Sequence, residues 1–173
     1  ALHLAGLIQR SEQGRRREVF LERITFPIRD LMGNVIGFSC RKIREDLFGG
    51  KYINTAETAL FKKSQVLFGL SYCRKKIAKE KKAIIVEGQI DALRLIREGF
   101  DFTVAAQGTA FGPGHVKELL NLGVTVVFLA FDGDKAGQEA CVKVGDLFQA
   151  KGVEVRVITL SLGKDPDLLL REE

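Results

Sequence analysis

Two aspartates stand one residue apart at the end of an apolar run, Asp132 and Asp134 in "VVFLAFDGDKAG". Two unit charges ~5 Å apart repel by roughly 3 kcal/mol at an effective dielectric of 20. A chain that pairs them needs a cation nearby or must protonate one of them. Three more carboxylates fall at comparable places: Glu87 ends "KAIIVEG", and Asp165 and Asp167 lie in "GKDPD", beyond the run "VEVRVITL". Hard oxygen ligands without His or Cys beside them suit Mg²⁺ or Mn²⁺. Each group also has a structural reading. Asp134 fits a helix N-cap, Asp165 and Asp167 fit a turn around Pro166, and Glu87 fits a solvated strand end. One at a time those readings suffice, but together the five favour a metal. The glycines beside Glu87, Asp132 and Asp134 are read as room for an approaching phosphate.

What must position these groups is a rhythm of strands and helices beyond residue 82. "KAIIVEG", "FTVAAQG", "VTVVFLAF" and "VEVRVITL" are strand candidates, and the third, without polar alternation, predicts a strand covered on both faces. Between them, "QIDALRLIREGF", "GPGHVKELLNLG" and "KAGQEACVKVGDLFQAKG" have helical apolar spacing and end at Gly99, Gly123 and Gly152. The third helix is expected to bury Ala136, Ala140, Val144, Leu147 and Phe148. A β-α-β-α-β-α-β order predicts a parallel sheet flanked by helices. Right-handed crossovers bring all strand carboxyl ends, and with them the carboxylates, to one edge.

The first part reads differently. "RITFPIRDLMGNVIGFSCRKI" predicts two antiparallel strands turning near residues 31–34, with Pro27 on an edge strand. The stretch from Gly49 to Lys82 begins as loop and becomes helix. Residues 1–18 show too little pattern for an element and read as a frayed connection. The expected division is a smaller basic α+β subdomain, 1–81, and a parallel-sheet domain, 82–173.

The charge follows that division. The net is +5, but residues 1–82 carry 18 Lys+Arg against 8 Asp+Glu, and residues 83–173 carry 9 against 14. A basic half beside an acidic half suits a polyanion on one surface and cations on the other. With a divalent ion this points to phosphoryl transfer on nucleic acid. Cys40, Cys73 and Cys141 form no C-x-x-C pair, which disfavours zinc and favours free thiols in an intracellular protein. No stretch approaches a membrane span or a secretory signal. The chain starts at Ala1, and residues 168–173 look like an element just beginning, so it reads as a fragment.

"VEG" at 86–88, followed by "DGDKAG" at 132–137, resembles the Toprim signature of primases, topoisomerases and some nucleases. The "RITFPIRDLMGNVIGFSCRKI" stretch, "KYINTAETALFKKSQVLFGL", "VEGQIDALRL", "VAAQGTAFGPGHVKEL" and "GKDPD" resemble, in unbroken order over residues 23–167, the motifs of bacterial DNA primases. The resemblance implies part of the RNA polymerase core of such a primase, with a Toprim domain. It implies a nucleotidyltransferase that makes short RNA primers from ribonucleoside triphosphates on a single-stranded DNA template, using two Mg²⁺ or Mn²⁺ ions. It places Glu87, Asp132, Asp134, Asp165 and Asp167 at the metal positions, with Glu87, Asp132 and Asp134 catalytic and Glu87 a candidate general base in place of a metal ligand. Arg41, Lys51 and Asn54 match the basic groove for nucleotide and template, Lys63 follows them in F-x-K, and Gly108, Thr109 and His115 match a segment near the site.

Further implied partners are the primer duplex and, through regions outside this stretch, the replicative helicase and single-strand-binding protein. The implied location is the cytoplasmic replisome, and the family's zinc module lies elsewhere. The sequence departs from the family at Ser39-Cys40, Ala56, Gln89, Ile90 and Ser161-Leu162, none of which removes a carboxylate. A metal-dependent nuclease or a non-catalytic nucleic-acid scaffold is the alternative. A topoisomerase would need a tyrosine nucleophile from Tyr52 or Tyr72.

Overall fold

The computed structural model describes residues 2–3, 5–108 and 110–172. The chain forms two compact units, Ala1–Lys62 and Lys63–Glu173.

The first unit is built on antiparallel strands. β1 (Ile8–Arg10) and β2 (Arg16–Glu18) form a hairpin in the stretch that sequence alone left without structure. Each strand is three residues long and mostly exposed, so no apolar alternation marks it. β3 (Arg23–Arg29), β4 (Val35–Lys42) and β5 (Tyr52–Asn54) make a sheet in that order, antiparallel throughout. Pro27 lies on β3, an edge strand, as its missing N–H requires. Asp30 turns the chain between β3 and β4: its Oδ1 accepts from the N–H groups of Met32 and Asn34, and Gly33 takes φ +92°. β5 falls within the segment expected to be loop.

The second unit is the parallel sheet. Helix α1 (Leu70–Glu80) leads into β6 (Lys82–Val86), followed by α2 (Gln89–Arg97), β7 (Thr103–Ala105), α3 (Pro113–Asn121), β8 (Val126–Leu129), α4 (Lys135–Gln149), β9 (Glu154–Val157) and α5 (Pro166–Glu172). The strand order is β7-β6-β8-β9, all parallel. One sheet face, with Ala83, Ile85, Val127 and Leu129, packs against Cys73 and Ile77 of α1, Leu119 of α3 and Phe148 of α4 in one apolar core.

The expectation that the third parallel strand is covered on both faces holds for one face only. Val126 and Phe128 are half-buried, and the Phe128 ring is covered partly by the Arg156 guanidinium at 5.5 Å. On α4, Ala136 is exposed and Gly137 is buried in its stead, because the first turn lies against the ends of two strands. The three cysteines are free, and burial pushes the Cys40 and Cys73 thiols up to about 11. No helix among the described residues is long and apolar enough to cross a membrane.

Candidate active site

The strand order places the acidic groups. From β6 the chain crosses to β7 on one side, then returns past β6 to β8 on the other. The direction of winding therefore reverses between β6 and β8, and their carboxyl ends bound the crevice where open α/β sheets bind ligands. Glu87 follows β6, and Asp132 follows the buried pair Ala130-Phe131 beyond β8. The N–H of Asp132 donates to Glu87 Oε1 at 3.0 Å.

Glycines make this convergence possible. A Cβ on Gly137 would meet the Asp132 carbonyl at 2.2 Å and Glu87 Oε1 at 2.8 Å. A Cβ on Gly133 would meet the Ser161 carbonyl at 2.2 Å, and the Gly133 N–H donates to the Lys164 carbonyl at 2.9 Å. A Cβ on Gly88 would stand 2.7 Å from Asp91 Oδ2. The space read from sequence as room for a phosphate is thus filled by the protein's own carbonyls and carboxylates.

Asp134 is the N-cap of α4, its Oδ1 accepting from the Gly137 N–H at 2.8 Å. Asp165 Oδ1 accepts from the Leu168 N–H at 2.6 Å at the start of α5. Asp167 is held by two arginines, Arg94 Nε at 2.8 Å and Arg171 Nη2 at 2.5 Å. Burial alone would raise its carboxyl, but the hydrogen bonds from Arg94 and Arg171 outweigh it and hold the group below the usual carboxylate range.

Sequence reasoning missed Asp91. It lies in the first turn of α2 and is buried, accepting from the Gly88 N–H at 3.2 Å and from the Asp167 N–H at 3.3 Å. It ties the segment after β6 to the start of α5. Burial, then the charge of Asp165, pushes its carboxyl up to about 6. The available signal was a carboxylate three residues beyond Gly88, the spacing of a side chain that bonds back to a helix's first N–H.

Asp132 is the most perturbed carboxylate. Burial first, then the charges of Glu87, Asp91, Asp165 and Asp134, push it up to about 7. Its Oδ1 is buried without a hydrogen-bond partner. Among the described residues, no three His, Cys, Asp or Glu side chains form a ready coordination group. The donor set nonetheless fits a hard cation: all oxygen, mutually repelling, with one buried oxygen unsatisfied.

The remaining predicted residues fall in three places. Arg41 and Asn54 project from the same face of the β4–β5 pair, opposite Tyr52 and Ser39 respectively. Arg41 lies 5.9 Å from the Tyr52 ring centre, and Asn54 Oδ1 is buried without a partner. Lys51 precedes β5 and is exposed. In the second unit, Lys63 accepts through its carbonyl from His115 Nε2 at 2.7 Å, while His115 Nδ1 accepts from the Gly112 N–H at 3.1 Å. The ring is fully buried and fastens the turn before α3. Gly108 is exposed at φ +64°, and Thr109 lies outside the described residues. Next to Gly108, Gln107 is fully buried with both amide atoms unpartnered.

Residues 1–74 match the family model "DNA primase catalytic core, N-terminal domain", and residues 84–170 match "Toprim-like". The chain belongs to the DNA primase family.

It is 53% identical to the DNA primase of Chlamydia pneumoniae over 171 residues, 99% of this chain and 28% of that one. The zinc-binding and RNA polymerase domains of Aquifex aeolicus primase superpose with a TM-score of 0.91 at 38% identity, covering 98% of this chain and 42% of that one. A primase catalytic domain solved with single-stranded DNA gives 0.89 at 34% identity, covering 99% and 54%. The chain spans about a quarter to a third of the length of the curated primases it matches. In primase terms, the segment comprises the N-terminal part of the catalytic core and the Toprim sheet with its acidic edge.

Proposed function

We propose that this chain carries the nucleotidyl-transfer centre of a primase that makes short RNA primers on single-stranded DNA. The observation that carries the reading is the meeting of Glu87 and Asp132 at the crevice between β6 and β8, with Asp132 Oδ1 buried and unpartnered. Asp132, Glu87, Asp134 and Asp165 would hold divalent cations. When bound, such ions neutralise phosphate charge and lower the pKa of an attacking hydroxyl.

The protein's own groups do the rest. Glu87, whose Oε1 accepts from the Asp132 N–H, would serve either as one of these ligands or, in place of binding metal, as the base that takes the proton of a primer 3′-hydroxyl. Asp167, matched to the metal positions by motif, is proposed here as a positioning residue: Arg94 and Arg171 already compensate its charge, and it secures α5 against α2. A cavity of about 370 Å³ beside Glu87, walled by Phe111, Phe131 and Val144, gives room for the non-reacting part of a nucleotide. The basic segment, 1–81, would hold template and triphosphate through Arg41, Lys51 and Asn54, with Lys63 beyond them, and 82–173 would hold the reacting phosphate. Arg offers a fork to phosphate oxygens and Lys a point charge. The relative solved with single-stranded DNA supports the nucleic-acid part of this reading.

The test is Mn²⁺-dependent incorporation of labelled ribonucleotides on a primed single-stranded template. Template-directed extension is expected, and Asp132→Ala should lose it while keeping DNA binding. Shortening of the labelled strand would replace the reading with a nuclease. Equal extension by the variant would remove Asp132 from the chemistry.

A further inference from the structure

The β1–β2 hairpin has a feature that folding alone does not explain. Its register sets Arg10 directly opposite Arg16, a cross-strand pair of like charges that destabilises a ribbon. Arg15 and Arg17 flank it, and none of the four makes an ion pair among the described residues. A hairpin with three-residue strands has little stability to spare for such a pair. Four unpaired arginines against Glu12 and Glu18 are the footprint of a polyanion.

A second observation lies beside the ribbon. On the ribbon face opposite the Arg10–Arg16 pair, Gln9 and Arg17 line, with Glu18, Glu22 and Arg23, a groove of about 390 Å³ whose other wall is the loop bearing Leu47, Phe48 and Gly49. Phe48 is 90% exposed, the most exposed large apolar side chain among the described residues. It is not on a slack loop. The Arg23 guanidinium donates to the carbonyls of Phe48 at 3.2 Å, Gly50 at 2.9 Å and Lys51 at 3.4 Å. In the loop Arg44 is paired with Glu22 and Asp46, and Lys42 at its start with Glu45, so the cations there without an ion pair among the described residues are Arg23, Lys51 and the arginines of the ribbon.

An aromatic face held rigidly at the lip of a groove, beside unpaired arginines, is the physical recipe for holding a single strand. Phosphates go to the cations, and an unstacked base goes to the ring. We propose that the hairpin and the Phe48 loop form a single-stranded nucleic-acid site, with Phe48 stacking on a base and Arg10, Arg15, Arg16 and Arg17 neutralising phosphates. The proposal rests on the primase reading for its ligand class and adds a contact point outside the acidic site.

The chain contains no tryptophan, so Phe48→Trp creates a sole reporter at the proposed contact. That variant would be titrated with an oligothymidylate and with an abasic oligomer of equal length, with the anisotropy of a labelled strand followed in parallel. Tryptophan quenching should track anisotropy for the first oligomer and be missing for the second. Phe48→Ala should weaken binding on the order of tenfold at an unchanged salt slope, whereas Arg16→Ala should lower that slope by about one.

Anisotropy that reports binding while the tryptophan stays silent would overturn the stacking proposal and leave the primase reading standing. Equal quenching by the abasic strand or by an acidic polypeptide would overturn it as well, in favour of a plain polyanion surface. No binding of any single strand by the unmodified chain would sink both readings together.

Discussion

The backbone N–H of Asp132 donates to Oε1 of Glu87 at 3.0 Å, across 45 positions of sequence. The bond brings the ends of two adjacent parallel strands into contact. It also fixes one carboxylate beside another that is half-buried, has one oxygen buried without a partner, and is pushed up to about 7. Proximity between like charges is normally avoided in a folded protein, so the arrangement has a cost that a bound cation would offset.

Asp132→Asn should therefore act in opposite directions on the apo protein and on its response to metal. Without divalent ions the variant should melt a few degrees higher, since ~1 kcal/mol shifts a domain of this size by roughly 2–8 °C. Added Mg²⁺ or Mn²⁺ should raise the melting temperature of the parent chain by mass action and leave the variant unmoved. Scanning calorimetry with and without metal reads both. An equal metal response in the two chains would show that Asp132 is no ligand.

Two glycines of α4 should respond oppositely to alanine. At Gly137 the new Cβ would collide with the Asp132 carbonyl and Glu87, so Gly137→Ala should cost ~2–3 kcal/mol and open the site. At Gly145 the nearest atoms are at ordinary contact distance, 3.7 Å. There alanine should be neutral or stabilise by up to ~1 kcal/mol through helix propensity. Urea midpoints of the two variants decide it, and a stable, active Gly137→Ala would show that the α4 start is not tightly packed.

The His115 ring should make stability fall in acid. Burial lowers its pKa below the ordinary 6.5, opposed by the hydrogen bond to the Lys63 carbonyl. Below pH ~6.5 the unfolded chain takes up a proton that the native ring resists, so the unfolded state gains. The loss grows until pH passes the native value, while above pH ~6.5 both states are neutral and this residue adds no slope. His115→Gln should remove that acid component, at a cost of ~1–3 kcal/mol at neutral pH for the broken bonds to Gly112 and Lys63. Urea unfolding from pH 5 to 8 separates the two effects. An unaltered acid slope would place the titration elsewhere.

Arg94→Met should loosen α5 without touching the strand ends. The Arg94–Asp167 pair is only partly exposed, so its loss should cost ~1–2 kcal/mol, between the values for surface and buried pairs. Hydrogen exchange should accelerate in residues 165–171 and stay unchanged in β6 and β8. Uniform acceleration would mean that α5 is integral to the whole sheet.

The parallel sheet was legible because its elements repeat a strong local signal: apolar runs for buried strands, helical spacing, and glycines at Gly99, Gly123 and Gly152 that all take positive φ. The β1–β2 hairpin and β5 were not, because three-residue strands hold by backbone pairing and carry no readable period. The spacing of Glu87 and Asp132 predicted that they share an edge, but not that one would bond to the backbone of the other. Asp91 was hidden because a carboxylate in a first helical turn has an ordinary explanation. Its burial depends on α5 arriving from 76 residues away. Likewise, nothing local announces that the space beside Gly133 belongs to the Ser161 carbonyl.

That last contact sets an order of events. Asp132 and Asp134 leave the ribosome about 30 residues before the 160–164 loop that packs on Gly133 and bonds to it through Lys164. Until that loop emerges, the nascent chain holds its acidic pair on an unsupported turn. The geometry of this acidic edge is therefore a late acquisition of synthesis, and a chain halted between residues 137 and 160 would carry both aspartates without the framework that gives them a fixed shape.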